Sequence, residues 1–265
     1  MSFDLTGRKV LITGAGDGIG RALVLAFGEA GARVAGCART ETRMQSLADD
    51  IQGHGHVLQT ADLTRLKDLE AFQKEVLQQF GGLDVLVNNL GAVGKLADFM
   101  ELSDADWQAS FEVNLLPAVR LSRLCIPSLR QSKTARIINI TSIAGIQPSP
   151  VFPHYSAMKA GLCNLTSSLA QTLAGDGILV NSVSPGPVWS RSWENEARAS
   201  AEKSGIPMEA VAQEIKTSTA QTVLLKRMGV PEDVTGLVLF LASDHASWIT
   251  ATNFTIDGGV TQTPY

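Results

Sequence analysis

A chain of 265 residues with 45% hydrophobic and 18% charged side chains has the apolar content to fill a sizeable core and too little charge to stay disordered. Its net charge of -4, from 22 Lys and Arg against 26 Asp and Glu with no basic cluster, speaks against nucleic acid and an anionic membrane surface and leaves a small molecule as the expected partner. Residues 1–5 carry no charged and then apolar leader, and no run approaches the ~18 apolar residues of a membrane span, so a cytoplasmic protein with no membrane partner is expected.

Residues 9–13 (KVLIT) form a short apolar run that passes through Gly14, Gly16, Asp17, Gly18, Ile19 and Gly20 into a helical pattern over 21–30. A strand, a glycine turn and a helix aim backbone N–H groups and a helix N-terminus at a phosphate. Glycine is needed where the backbone turns with positive φ and where a Cβ would hold a pyrophosphate away. Dinucleotide binding is the function this arrangement points to. A second buried strand, 33–38, ends at Arg39, about 20 residues beyond the glycine loop, where an acid would bind a free ribose 2′-hydroxyl and a base a 2′-phosphate. Arg39 therefore points to NADP. Against it stands Asp17, whose charge would repel a nearby phosphate if its side chain faces inward.

A helix over 42–52, a strand over 56–60 leading to Asp62 and Leu63, a helix over 66–80 and a strand over 83–87 follow. Uninterrupted alternation of strand and helix predicts an α/β fold with a parallel sheet covered on both faces. In such sheets ligands bind beyond the carboxyl ends of the strands, so Gly14, Arg39, Asp62, Asn89 and Gly91 should surround one groove. Ser103 caps a long helix running through Asn114 to about residue 130, with Pro117 kinking or interrupting it. Asn114 is the polar exception on an apolar stretch, and it either serves the site or bridges backbone. The strand over 136–140 brings Ser142 to the same rim. On the helix over 152–173, Tyr155 and Lys159 share one face, about 5 to 6 Å apart at Cβ. Near a cation, a tyrosine can exchange a proton that its ordinary pKa near ~10 would otherwise withhold. Strands over 178–184 and 253–256 and a helix over 231–242 complete the chain. The three cysteines, Cys37, Cys125 and Cys163, lie far apart in apolar segments and are expected to be buried free thiols, and no metal-ligand cluster is evident.

The set Thr13-Gly14-x3-Gly18-Ile19-Gly20, Asp62, Asn88-Asn89-x-Gly91, Asn114, Ser142, Tyr155-x3-Lys159, Pro185-Gly186 and 256–259 resembles the short-chain dehydrogenase/reductase family, and within it the 3-oxoacyl reductases. The resemblance covers nearly the whole chain. It implies a single Rossmann-type domain over 1–265, a doubly wound parallel sheet of about seven strands with helices on both faces. It also implies a catalytic tetrad. Tyr155 would donate the proton when hydride reaches a carbonyl carbon, and Ser142 would orient the substrate oxygen. Lys159 would lower the tyrosine pKa and hold the nicotinamide ribose, and Asn114 would hold a water linking the lysine to solvent. Pro185, Gly186 and Val188 resemble the loop against the nicotinamide, with Ser190 where the family often has a threonine. Leu90 stands where the family has alanine. A homotetramer or homodimer is implied, paired through the helices around 104–130 and 152–173.

The stretch 189–225 is long for a connection and reads as a substrate lid, with an extra helical pair as the plainer alternative. Trp189, Trp193 and His154 are candidates to touch substrate, alongside Ser142 and Tyr155. The reading is hydride transfer between NADP(H) and a carbonyl or secondary alcohol. The alternatives are an NAD-dependent alcohol or sugar-type dehydrogenase and a non-catalytic cofactor-binding scaffold, which the intact tetrad opposes. An enoyl reductase would space its tyrosine and lysine more widely.

Overall fold

The computed structural model describes residues 3–262. Each apolar run becomes a strand: β1 (Lys9–Thr13), β2 (Arg33–Ala38), β3 (Val57–Thr60), β4 (Val85–Asn88), β5 (Arg136–Ile140), β6 (Leu179–Pro185) and β7 (Asn253–Ile256). These seven strands form one sheet in the order β3-β2-β1-β4-β5-β6-β7, with every neighbouring pair parallel. Between them run α1 (Gly18–Glu29), α2 (Glu41–Asp50), α3 (Leu66–Phe80), α4 (Asp104–Asn114), α5 (Leu116–Leu129) and α6 (Pro153–Leu173), followed by α7 (Arg191–Ser204), α8 (Met208–Thr222) and α9 (Pro231–Ala242).

Side chains alternate across a strand, so strands apolar at every position can feed two cores. Val10 and Ile12 of β1, Val85 and Val87 of β4, and Ile138 and Ile140 of β5 pack with α1 and α9 on one face. Leu11 and Leu86, the residues between them, pack together with Ile137 against α3, α5 and α6 on the other. The chain winds outward from β1 to β3 and then returns to place β4 on the other side of β1. This reversal leaves a crevice beyond the carboxyl ends of β1 and β4, and the two following loops separate there instead of crossing it.

Some boundaries differ from those the sequence suggests, for local reasons. Helix α1 starts at Gly18 and not at residue 21, because Asp17 caps it by accepting from the Gly18 N–H at 2.7 Å. The expected long helix is two, broken at Leu115 (φ -126, ψ -51), with Pro117 in the first turn of α5, where its missing N–H costs nothing. Strand β4 begins after Asp84, whose carboxylate accepts from the Lys9 N–H and the Ser132 hydroxyl. Cys37 and Cys125 are buried, and burial pushes their thiols up to about 12, whereas Cys163 is only half-buried beside the β7 edge. No helix among the described residues is long and apolar enough to cross a membrane.

A buried polar chain runs across β4 and β5. The Asn88 amide donates to Ser122 Oγ (3.1 Å) and to Asn139 Oδ1 (2.8 Å), and Asn139 in turn donates to Thr166 Oγ1 (2.8 Å). Strands β4 and β5 are thereby fixed to α5 and α6. Leaving buried partners unsatisfied costs about 1 to 3 kcal/mol. Asn139→Ala is expected to lower the urea unfolding free energy by that amount with an unchanged m-value; a loss below about 0.5 kcal/mol would show that the chain adds nothing.

Candidate active site

The crevice is a groove of about 1070 Å³. Its floor is the glycine loop, held against β4 by Thr13, whose Oγ1 accepts from the N–H groups of Asn89 and Leu90 at 2.9 Å each. The Asn89 amide returns a 2.8 Å bond to the Thr13 carbonyl. Gly14 has φ 66, and a Cβ on Gly20 would lie 2.2 Å from the Gly14 oxygen and 2.5 Å from Asn89 Nδ2. The cradle is thus closed to side chains and open to a ligand. A dinucleotide diphosphate fits such a cradle, because the turn exposes backbone N–H groups at the start of α1.

At one end of the groove, Asp17 Oδ2 lies 3.4 Å from Arg191 Nη1 and 3.5 Å from Arg43 Nη1. The carboxylate expected to repel a phosphate is therefore paired twice. Arg39 is exposed on the same wall, at the end of β2. Asp62 also lines this wall, its carboxylate held by the Thr64 N–H (3.1 Å) and hydroxyl (2.8 Å).

The other end carries Ser142, Tyr155 and Lys159. A 3-10 turn, Ile143–Gly145, follows Ser142, whose Oγ accepts from the Ala144 N–H at 3.1 Å. Glycine at 145 lets this turn lie on α6: a Cβ there would sit 2.8 Å from the backbone of Lys159 and Ala160. That close approach brings Ser142 to the Tyr155 hydroxyl. Lys159 is 2% exposed and donates to the Ile140 carbonyl at 2.9 Å. Burial pulls its pKa down to about 8, since a charged ammonium is disfavoured away from water. Its Nζ lies 5.7 Å from the centre of the Tyr155 ring. Burial raises the tyrosine pKa, and the nearby Ser142 hydroxyl opposes that shift. The direction at Tyr155 is therefore upward and set by burial, where the resemblance implied a lowering by Lys159.

Asn114, at the end of α4, spends its amide on backbone. Its Oδ1 accepts from the Ala92 N–H, and its Nδ2 donates to the carbonyls of Ala92 (2.9 Å) and Ser110 (3.1 Å). It borders the lysine through Gly91, where a Cβ would be 2.9 Å from Lys159 Nζ and 3.0 Å from Asn114 Oδ1. Of the other residues singled out in the sequence, Gly14, Asp17, Gly18, Ile19, Gly20, Leu63, Asn89, Gly91, Pro185, Gly186, Val188, Ser190 and Trp193 line the groove.

His154 and Trp189 lie outside that lining. One residue from Tyr155 on a helix, His154 is turned about 100° away. It is buried against α4, edge-on to Trp107 with ring centres 6.2 Å apart. The Trp189 N–H bonds Gly229 at 2.9 Å, and the ring sits under the Lys216 ammonium of α8 at 4.2 Å. Arg43, Arg191, Asn195 and Glu196 are among the lining residues that were not legible beforehand. The last three belong to α7, which overhangs the groove.

Comparison with known proteins agrees with this geometry. A family model described as enoyl-(acyl carrier protein) reductase matches residues 14–261. The chain is 34% identical over 98% of its own length and 98% of the other's to an uncharacterized oxidoreductase, YvrD, of Bacillus subtilis (strain 168). It is 32% identical, over 97% and 98%, to the 3-oxoacyl-[acyl-carrier-protein] reductase FabG of Thermotoga maritima. Among solved structures, L-sorbose reductase from Gluconobacter frateurii, complexed with NADPH and L-sorbose, superposes with a TM-score of 0.90 at 29% identity, covering 99% of this chain and 100% of that one. The chain belongs to the short-chain dehydrogenase/reductase family and is an NAD(P)-dependent oxidoreductase.

Lys159 has its pKa depressed, so it is cationic below about 8 and neutral above. Losing that charge removes the cation beside the proton-carrying phenol. In the carbonyl-reducing direction, kcat/KM is expected to hold through neutral pH and to fall as pH rises through about 8. A profile that stays flat well above that pH would contradict the assignment.

Proposed function

We propose that the protein reduces the ketone of a polar small molecule with NADPH, Tyr155 giving the proton. One observation carries the reading: a groove with arginines at one end holds, at the other, the half-buried Tyr155 beside Ser142 and Lys159. The residues fit the cofactor. The glycine loop would take the diphosphate, Arg39 the 2′-phosphate, Lys159 and Asn89 the nicotinamide ribose side, and the segment from Pro185 to Ser190 the nicotinamide. NADPH, when bound, supplies hydride to the carbonyl carbon. Negative charge then develops on the substrate oxygen, and the chain's groups at that oxygen decide the rate. Ser142 orients the oxygen by hydrogen bonding. Tyr155 transfers its proton to it, the Lys159 ammonium steadies the phenolate left behind, and solvent returns the proton. Asn114 fixes the loop at Ala92 that walls in the lysine.

The substrate class is read from α7. Ser192, Glu196, Ser200 and Lys203 recur at helical spacing on the face toward the groove. A polar stripe offers hydrogen bonds to hydroxyl groups and little to an acyl chain, which supports a hydroxylated ketone. Similarity to the sorbose reductase supports the same class, and similarity to FabG supports the thioester alternative. Helices α7 and α8, joined through Gly205 (φ 71), serve in this reading as the lid over 189–225. A panel of ketoses and 3-oxoacyl thioesters, assayed by NADPH oxidation, separates the two classes. With the best substrate, Tyr155→Phe is expected to lower kcat by about 10² to 10⁴ while NADPH binding stays near wild type. A variant keeping more than about a tenth of kcat would remove Tyr155 from the proton transfer.

A further inference from the structure

We infer that Arg191, the first residue of α7, is a diphosphate-binding residue of the cofactor site, distinct from the arginines that would read the 2′-phosphate. The inference rests on the NADP(H) reading above.

Three arginines approach Asp17 or its wall from different elements: Arg39 from the end of β2, Arg43 from α2 and Arg191 from α7. Their positions differ in one respect. Arg43 sits outside the glycine loop on the β2 side, with its side chain against Gly16, where a Cβ would lie 3.5 Å from Arg43 Cβ. Arg191 comes from the opposite side of the groove, over Gly18, where a Cβ would lie 3.5 Å from Ser190 Cβ. Gly18 opens α1, so the guanidinium of Arg191 stands over the part of the loop where backbone N–H groups would receive the diphosphate.

Arg191 is also weakly held. Among the described residues its side chain makes one hydrogen bond, to Asp17 Oδ2, which is long at 3.4 Å, and that oxygen is shared with Arg43 at 3.5 Å. The other carboxylate oxygen is committed to the Gly18 N–H at 2.7 Å. The Arg191 side chain is 43% exposed. A guanidinium carries five donors in a planar fork suited to two phosphate oxygens at once. Most of those donors remain available to a ligand. Asp17 keeps the fork over the loop before the cofactor arrives, and Arg191 then closes the groove from the lid side.

A diphosphate contact is common to NADPH and NADH, whereas a 2′-phosphate contact belongs to NADPH alone. Dissociation constants for both nucleotides, measured by quenching of the tryptophan fluorescence, therefore separate the roles of the arginines without any turnover. Arg191→Ala is expected to weaken NADPH and NADH by the same factor, about tenfold, as for loss of one charge-assisted pair. Arg43→Ala and Arg39→Ala should weaken NADPH alone. Arg191→Lys, which keeps the charge and loses the fork, should show a smaller loss that is again equal for the two nucleotides, and it serves if the alanine variant fails to fold. Values within about twofold of wild type for both nucleotides would overturn the inference and leave the ion pair as a lid anchor only. Loss confined to NADPH would overturn it too, by placing Arg191 at the 2′-phosphate. Failure of the wild type to bind either nucleotide would instead refute the cofactor reading itself.

Discussion

The bond from the Lys159 ammonium to the Ile140 carbonyl fixes the geometry on which the site depends. An ammonium that is 2% exposed must find a strong acceptor, and the last residue of β5 supplies one at 2.9 Å. Helix α6 is thereby tied to the carboxyl end of a central strand. One helical turn away, Tyr155 has no choice but to face the same rim. Gly145 and Gly91 make the arrangement possible, since a side chain at either would collide with the lysine or the backbone around it. The same burial that draws the Lys159 pKa down toward 8 raises that of the tyrosine. In the proposed reduction this pair would act as an ammonium and a neutral phenol.

The sheet brings the second half of the chemistry to this pair. Because β1 and β4 are neighbours although far apart in sequence, the glycine loop and the Asn89–Gly91 loop open at one place. Thr13 and Asn89 cross-link them with three short bonds. Strands apolar on both faces permit this, as helices must then cover both sides and every ligand-binding loop is left at one rim.

Much of this was legible in the chain. The runs at 9–13, 33–38, 136–140 and 253–256 are strands with those bounds, because apolar β-branched stretches flanked by glycine and polar residues have few other ways to fold. The meeting of Gly14 and Ser142 followed from placing each at a strand end, and Tyr155 and Lys159, put on one helix face by their spacing, were joined to them by the family resemblance. What escaped the reading involves pairings across long stretches of sequence. Arg191 meets Asp17 across 174 positions, and nothing local marks it. His154 adjoins Tyr155 in sequence, yet helical geometry turns it to Trp107. The direction of the tyrosine shift is a property of burial, which no spacing reveals.

Direct titration of the phenol tests the central claim that burial raises the pKa of Tyr155. The chain contains two tyrosines, so the difference in phenolate absorbance between wild type and Tyr155→Phe isolates this one. In cofactor-free protein its ionisation is expected to lie above the ordinary tyrosine value of about 10. A phenolate already present near neutral pH would contradict the account, because Tyr155 would then rest as a base with no proton to give.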